Sequence, residues 1–366
     1  MATKLKTQYN TDYTVHPGVI LEKTLLARGM KKVIFSELVG LTDKTVSQII
    51  NGSAPITPAS ALQFERVLNV SSTVWNNLES RYRLYLAKVN DRLELEENIK
   101  WAKKFPLSEL FKLKLIKKQK SEVESLSELL NFFGVGSIGS WKNSIENLKV
   151  EYRESPSFKG APEAVLTWLR IGELQAEKID TVPYNKDIFM NALQQIRMLT
   201  RKPPKIFSQS MVELCRGAGV ALVFVPELKK THLSGASRWL SPSKSLIILS
   251  LRHKKDDHFW FSFFHEAAHI LKHGKKQRYL DGKIKSDSIE EQEADNFASD
   301  FLVPAAEFQS FIEAGTITGR EIKRFAERFN IAPGILVGRL QHDKHIPYSN
   351  HNRLKLSLEI GESSQE

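Results

Sequence analysis

Phe259-Trp260-Phe261-Ser262-Phe263-Phe264-His265-Glu266-Ala267-Ala268-His269-Ile270-Leu271-Lys272-His273 is the stretch from which the fold is read, and inside it lies His-Glu-x-x-His. Residues four apart on an α-helix sit one turn above each other on one face. His265 and His269 can therefore present two imidazoles to one metal ion. Glu266, about 100° round the helix from His265, can reach a water on that ion. Zinc is held this way where two histidines ligate and a carboxylate takes the proton from the attacking water. The competing reading is an ordinary buried helix carrying two satisfied histidines. The flanks predict a helix over 257–273. Asp256 and Asp257 supply capping and favourable charge. Phe261, Phe264, Ala268 and Leu271 recur at helical spacing, and Gly274 is a stop signal after Lys272 and His273.

A catalytic zinc needs a third protein ligand and one open position. Downstream, Ala294, Phe297, Ala298, Phe301 and Leu302 recur at helical spacing up to Pro304, which predicts a buried helix face. Glu291 lies one turn before Ala294 and Asp295 on that side and is the preferred third ligand, with Asp295 and Glu293 in reserve. His273 is either an assisting group at the site or a helix C-terminal cap. His258 reads as surface at the helix start. Tyr279, Arg278 and Arg238 are candidates to stabilise an oxyanion. Upstream, Gly219 to Val225 reads as a strand ended by Pro226. His232 to Leu240 and Ser245 to Leu251 read as a hairpin turning at Ser241-Pro242-Ser243-Lys244. The hairpin is expected to offer a substrate edge, with Ser234-Gly235-Ala236-Ser237 near the metal.

The N-terminal segment reads as five helices. Short runs joined through Val39-Gly40-Leu41 spell a helix-turn-helix. Thr42 is an N-cap for the third helix, whose buried stripe is Val46, Ile49 and Ile50. Asp43, Lys44, Thr45, Ser47 and Gln48 stay exposed near its start, where recognition helices meet base edges. Gln48 could read adenine and Lys44 guanine or a phosphate. Asp43 must accept from cytosine or face away, because a carboxylate there repels phosphate. A protein-interaction module with a solvated polar face is the competing reading.

Gly40-Leu41-Thr42, Thr45-Val46-Ser47, Ile49, Asn51-Gly52 and Pro55-Ile56-Thr57-Pro58 resemble the lambda-repressor-like DNA-binding domain, closest to its HigA-type antitoxin branch. His16-Pro17-Gly18 and Trp75-Asn76-Asn77-Leu78 extend that resemblance over about 14–88. It implies a DNA-contacting set of Thr42, Asp43, Lys44, Thr45, Ser47, Gln48 and Asn51. His265-Glu266, His269, Leu271 and His273, with Glu291, Ala294, Phe297-Ala298, Leu302 and Pro304, resemble the ImmA/IrrE family of zinc metallopeptidases. That resemblance implies His265, His269 and Glu291 as zinc ligands and Glu266 as general base. Phe259-Trp260-Phe261, Phe264 and the run Ile331 to His342 resemble the form fused to a HigA-type domain.

Between these ends, residues 100–120 carry eight lysines and one acid, Glu109. Trp101, Phe105 and Phe111 read as core, with the lysines solvated. Gly134, Gly136 and Gly139 have neither phosphate-loop nor dinucleotide spacing and read as a helix–helix connection. The net charge of +11 allows a polyanionic partner without demanding one. The single cysteine, Cys215, excludes an intrachain disulfide and suits a reducing compartment. No run approaches ~18 apolar residues, and Met1-Ala2-Thr3-Lys4-Leu5-Lys6 has no apolar signal core. A cytoplasmic protein with no membrane partner is expected.

The expected fold is multidomain α+β. Residues 1–89 are an all-α lambda-repressor-like helix-turn-helix domain, 90–182 a helical connecting region, and 183–366 a zincin-like metallopeptidase domain with a small sheet. The expected function is a homodimeric transcriptional regulator that binds double-stranded operator DNA and carries a zinc-dependent endopeptidase acting on a regulatory protein. The alternative is a HigA-like antitoxin or repressor of a toxin–antitoxin module, whose peptidase fold senses a signal or binds a toxin without cleaving.

Overall fold

The computed structural model describes residues 15–151, 161–250, 252, 254–273, 279–282 and 289–358. The chain divides into two compact units, Met1–Ile99 and Lys100–Glu366. It is multidomain α+β.

The described part of the first unit is all helical: α1 (Pro17–Ala27), α2 (Lys32–Val39), α3 (Asp43–Ile50), α4 (Pro58–Leu68) and α5 (Ser72–Glu97). Leu21, Phe35, Val46, Ile49, Phe64 and Trp75 belong to one core. Gly40 ends α2 with φ 70°, and Thr42 caps α3 by accepting the Thr45 backbone N–H. Gly18 explains the opening His-Pro-Gly. A Cβ there would lie 2.2 Å from the Ile49 carbonyl oxygen, so only glycine lets α1 meet the end of α3 this closely. Glu79 fixes the following loop, accepting the Ile56 N–H at 3.1 Å and Arg83 Nε at 2.7 Å. Helix α5 runs past residue 89, where the first domain was expected to end, to Glu97. No proline or glycine interrupts 89–97, and the Arg92–Glu96 pair, 3.0 Å apart, adds support there.

The second unit opens with α6 (Leu107–Lys112), α7 (Glu122–Phe133) and α8 (Ile138–Glu151). Trp101, Phe105, Phe133 and Trp141 form an edge-to-face cluster, while all eight lysines of 100–120 are exposed. Gly134 caps α7, so the glycine-rich run joins two helices. There follow α9 (Pro162–Glu177), α10 (Lys186–Met198), α11 (Pro204–Arg216), strands β1 (Val220–Phe224), β2 (Leu233–Ser241) and β3 (Lys244–Leu249), and α12 (Asp256–Lys272). A short β4 (Tyr279–Gly282) precedes α13 (Ile289–Leu302), α14 (Ala305–Glu313), α15 (Gly319–Arg328) and α16 (Pro333–His342).

The sheet order is β1-β3-β2-β4, with β1 parallel to β3 and the other pairs antiparallel. Each face carries a helix. On one, α9 sets Gly172 against Ile248 and donates Trp168 Nε1–H to the Val225 carbonyl at 3.3 Å. Helix α9, expected within a connecting region, thus covers the sheet. On the other face lies α12, whose Trp260, Phe263, Phe264 and Ala267 share one core with Leu222, Ile247 and Leu249. Cys215 is buried in that core, and burial pushes its thiol pKa up, so it is an inert packing residue.

Candidate metal centre and recognition helix

Helix α12 forms as its apolar spacing requires, but its start differs from expectation. The cap position is Lys255, and Asp256 and Asp257 are the first two helical residues, both buried. Asp256 Oδ1 accepts the Leu356 N–H, and Lys355 Nζ lies 2.5 Å from Asp257 Oδ2. The carboxylates therefore tie the helix start to the chain near 355–358. Gly274 lies outside the described residues. His258 is exposed.

His265, Glu266 and His269 are at most 3% exposed. Their burial comes from α13 packing along α12 on one side and from β2 on the other. Two arginines hold the far end of α13. Arg197 on α10 donates to the Phe301 and Leu302 carbonyls, and Arg339 on α16 to those of Ser299 and Val303. The Phe301 and Leu302 carbonyls are among those a helix leaves unsatisfied at its C-terminus. Ala294, Ala298 and Leu302 are buried, and Phe301 packs on Phe264 with ring centroids 5.0 Å apart. This seating brings Glu291 over the two histidines.

Three donor atoms converge. His265 Nε2 lies 3.0 Å from His269 Nε2 and 3.2 Å from Glu291 Oε2, and His269 Nε2 lies 3.5 Å from Glu291 Oε1. A tetrahedral zinc with bonds of about 2.05 Å sets its ligand atoms about 3.3 Å apart. The group has that size, and among the described residues it is the one cluster of three or more histidine, cysteine or acidic side chains fit to hold an ion. A borderline-soft cation suits two nitrogens and one oxygen.

The expected reserves, Asp295 and Glu293, stand behind the histidines. Asp295 Oδ1 is 3.0 Å from His265 Nδ1. A carboxylate only accepts, so the ring donates from Nδ1 and keeps its Nε2 lone pair for a metal. His269 Nδ1 is 2.9 Å from His273 Nδ1, and His273 Nε2 is 3.2 Å from Glu293 Oε2. A chain of donation from His269 through His273 to Glu293 orients the His269 ring in the same sense. Burial, reinforced by the neighbouring His265 and His273, pushes the His269 pKa down to about 2, so its imidazole is neutral near pH 7.

Glu266 is fully buried beside β2. A Cβ on Gly235 would come within 2.8 Å of Glu266 Cγ and Oε1, so the strand passes directly over this carboxylate. Of the stretch expected near the metal, Gly235 is the residue that meets it. Arg238 lies on the opposite face of β2 and pairs with Glu173 of α9. Strand alternation removes it from the oxyanion candidates. Tyr279 pairs with Ser237 through β4, and Arg278 lies outside the described residues. Over Leu233–Ser237 the edge expected for a substrate is taken by β4. Strand β3 lies between β1 and β2, and β2 between β3 and β4.

On α3, Lys44 and Gln48 are exposed, Thr45 and Ser47 half-buried, and Asn51 is the exposed C-cap. Thr42 is occupied as the N-cap. Asp43 faces its own domain, accepting a hydrogen bond from the buried Ser36 hydroxyl of α2. That bond clamps the two helices of the motif and accounts for an acid at this position.

Residues 219–341 match the profile of the family described as the IrrE N-terminal-like domain, Peptidase_M78. This stretch is similar to the IrrE N-terminal-like domain. The match runs from β1 to α16 and contains every residue of the convergent group. Sheet cover from α9 and the Arg197 anchor on α10 lie upstream of the matched residues. No curated protein matches the chain. Among solved structures, a protein described as an antidote of a plasmid maintenance system, from Nostoc punctiforme, is 26% identical over 23% of this chain and 91% of its own, with a TM-score of 0.22. An addiction module antidote protein of the HigA family, from Coxiella burnetii, is 25% identical over 23% of this chain and 92% of its own, with a TM-score of 0.21.

Proposed function

We propose that the chain is a DNA-binding transcriptional regulator whose IrrE-like domain is a zinc-dependent endopeptidase acting on a regulatory protein. The observation that carries the enzymatic half is the convergence of His265, His269 and Glu291 beside the buried Glu266. His265, His269 and Glu291 would hold the zinc, which would supply Lewis-acid activation of a water and of the scissile carbonyl. Glu266 takes the proton of the attacking water on a carboxylate oxygen and returns it to the leaving amine nitrogen. Asp295 and His273 hold the two imidazoles in the ligating tautomer. Gly235 leaves room for the Glu266 carboxylate.

The DNA-binding half rests on α3, with Lys44 and Gln48 exposed on it. Operator DNA is contacted by a homodimer through Lys44, Thr45, Ser47, Gln48 and Asn51, with Thr42 and Asp43 shaping the helix start. Lys44→Ala is expected to weaken binding to all duplexes and lower the salt slope by about 1, whereas Gln48→Ala relaxes discrimination at one base. Competition binding at several salt concentrations separates the two.

Comparing the proteomes of cells carrying wild type and Glu266→Gln tests the catalytic claim. A substrate accumulates uncut in the variant, which keeps its zinc, while His265→Ala loses it. Identical proteomes would reject cleavage and leave a binding or sensing domain.

A further inference from the structure

Away from the metal centre, α15 is sharply two-faced. Ile322, Phe325 and Ala326 are buried, and Arg320, Lys323, Arg324 and Glu327 share the exposed face. Opposite lies the segment 349–354. Between the two is a cavity of about 940 Å³ lined by Arg320, Lys323, Arg324, Glu327, His351 and Arg353. Four cations thus meet one carboxylate. The side chains of Arg320, Lys323 and Arg353 make no ion pair or hydrogen bond among the described residues, and Arg324 reaches Glu321 only at 4.0 Å. Like charges three and four apart on a helix repel. Gathered round a concave site, they focus positive potential. Gly319 begins α15 in the same wall, which adds the positive end of the helix dipole.

We propose that this cavity binds a small polyphosphorylated ligand of nucleotide size. The arginine guanidinium groups suit paired phosphate oxygens, and Lys323 supplies a point charge. The volume is that of a small-molecule site. The cavity shares no lining residue with the metal centre, so the proposal goes beyond the endopeptidase reading and stands without it.

The test is calorimetric titration of the full chain with inorganic tripolyphosphate, followed by ATP as competitor. Saturable one-to-one binding is expected. It weakens at least tenfold in Lys323→Glu/Arg353→Glu and persists in Lys117→Glu/Lys118→Glu, which alters the same charge on exposed lysines elsewhere. If the first pair misfolds by its thermal transition, Lys323→Gln/Arg353→Gln replaces it. Displacement by ATP identifies a nucleotide; failure of displacement identifies a free polyphosphate. Absence of saturable binding, or equal weakening in both pairs, overturns the proposal. So does duplex DNA that binds through Lys323 and Arg353 where tripolyphosphate does not.

Discussion

His273 and Asp295 touch ring nitrogens rather than the converging ligand atoms, which gives them a different signature from the ligands. His273→Ala is expected to lower zinc affinity by about 10–100-fold with the thermal transition of the apoprotein unchanged. Chelator competition measures it, and an unchanged affinity would reduce His273 to a helix cap. Gly235→Ala is expected to keep full zinc occupancy while cleavage falls, because its Cβ displaces Glu266. Glu291 and Asp295 are four apart on α13 and share a face, so spacing ranked them without separating their roles. Their distances to opposite nitrogens of His265 set Glu291 beside the converging Nε2 atoms and Asp295 behind the ring.

At the scale of elements, α12 is latched at its start. Burial, and then the charge of Asp257, raise the Asp256 pKa to about 7. A folded carboxyl with a raised pKa holds its proton where the unfolded one has lost it. Between the ordinary carboxylate range and about pH 7, unfolding therefore releases a proton, and stability falls as pH rises. At about 1.4 kcal/mol per unit, the ceiling is about 4 kcal/mol. Asp256→Asn keeps an Oδ1 acceptor for the Leu356 N–H. Its melting temperature is expected to gain on wild type as pH rises from about 5 to about 8, which parallel thermal scans would show. Neither partner of this latch was legible in the sequence. Two acids before an apolar run signal a helix start, but their burial depends on a segment a hundred residues downstream.

For the whole molecule, the two units imply two unfolding transitions. Removing metal with a chelator is expected to lower the transition of 100–366 and leave that of the first unit in place. Zinc at a hundred times its dissociation constant restores about 2.7 kcal/mol. Calorimetry with and without added zinc reads both.

The sequence by itself determined the short helices around Gly40, the helix that carries His265 and His269, the small sheet and the expectation that His265, His269, Glu266 and Glu291 share one site. Helices repeat every 3.6 residues and strands every two, and a four-residue spacing within one helix is already a geometry. Tertiary structure alone decided what surrounds them. Gly235 lies over Glu266, Arg238 points to the far face, Asp295 stands behind His265, and β4 pairs with Leu233–Ser237 of the hairpin. Each depends on how distant elements pack, and no local period records that.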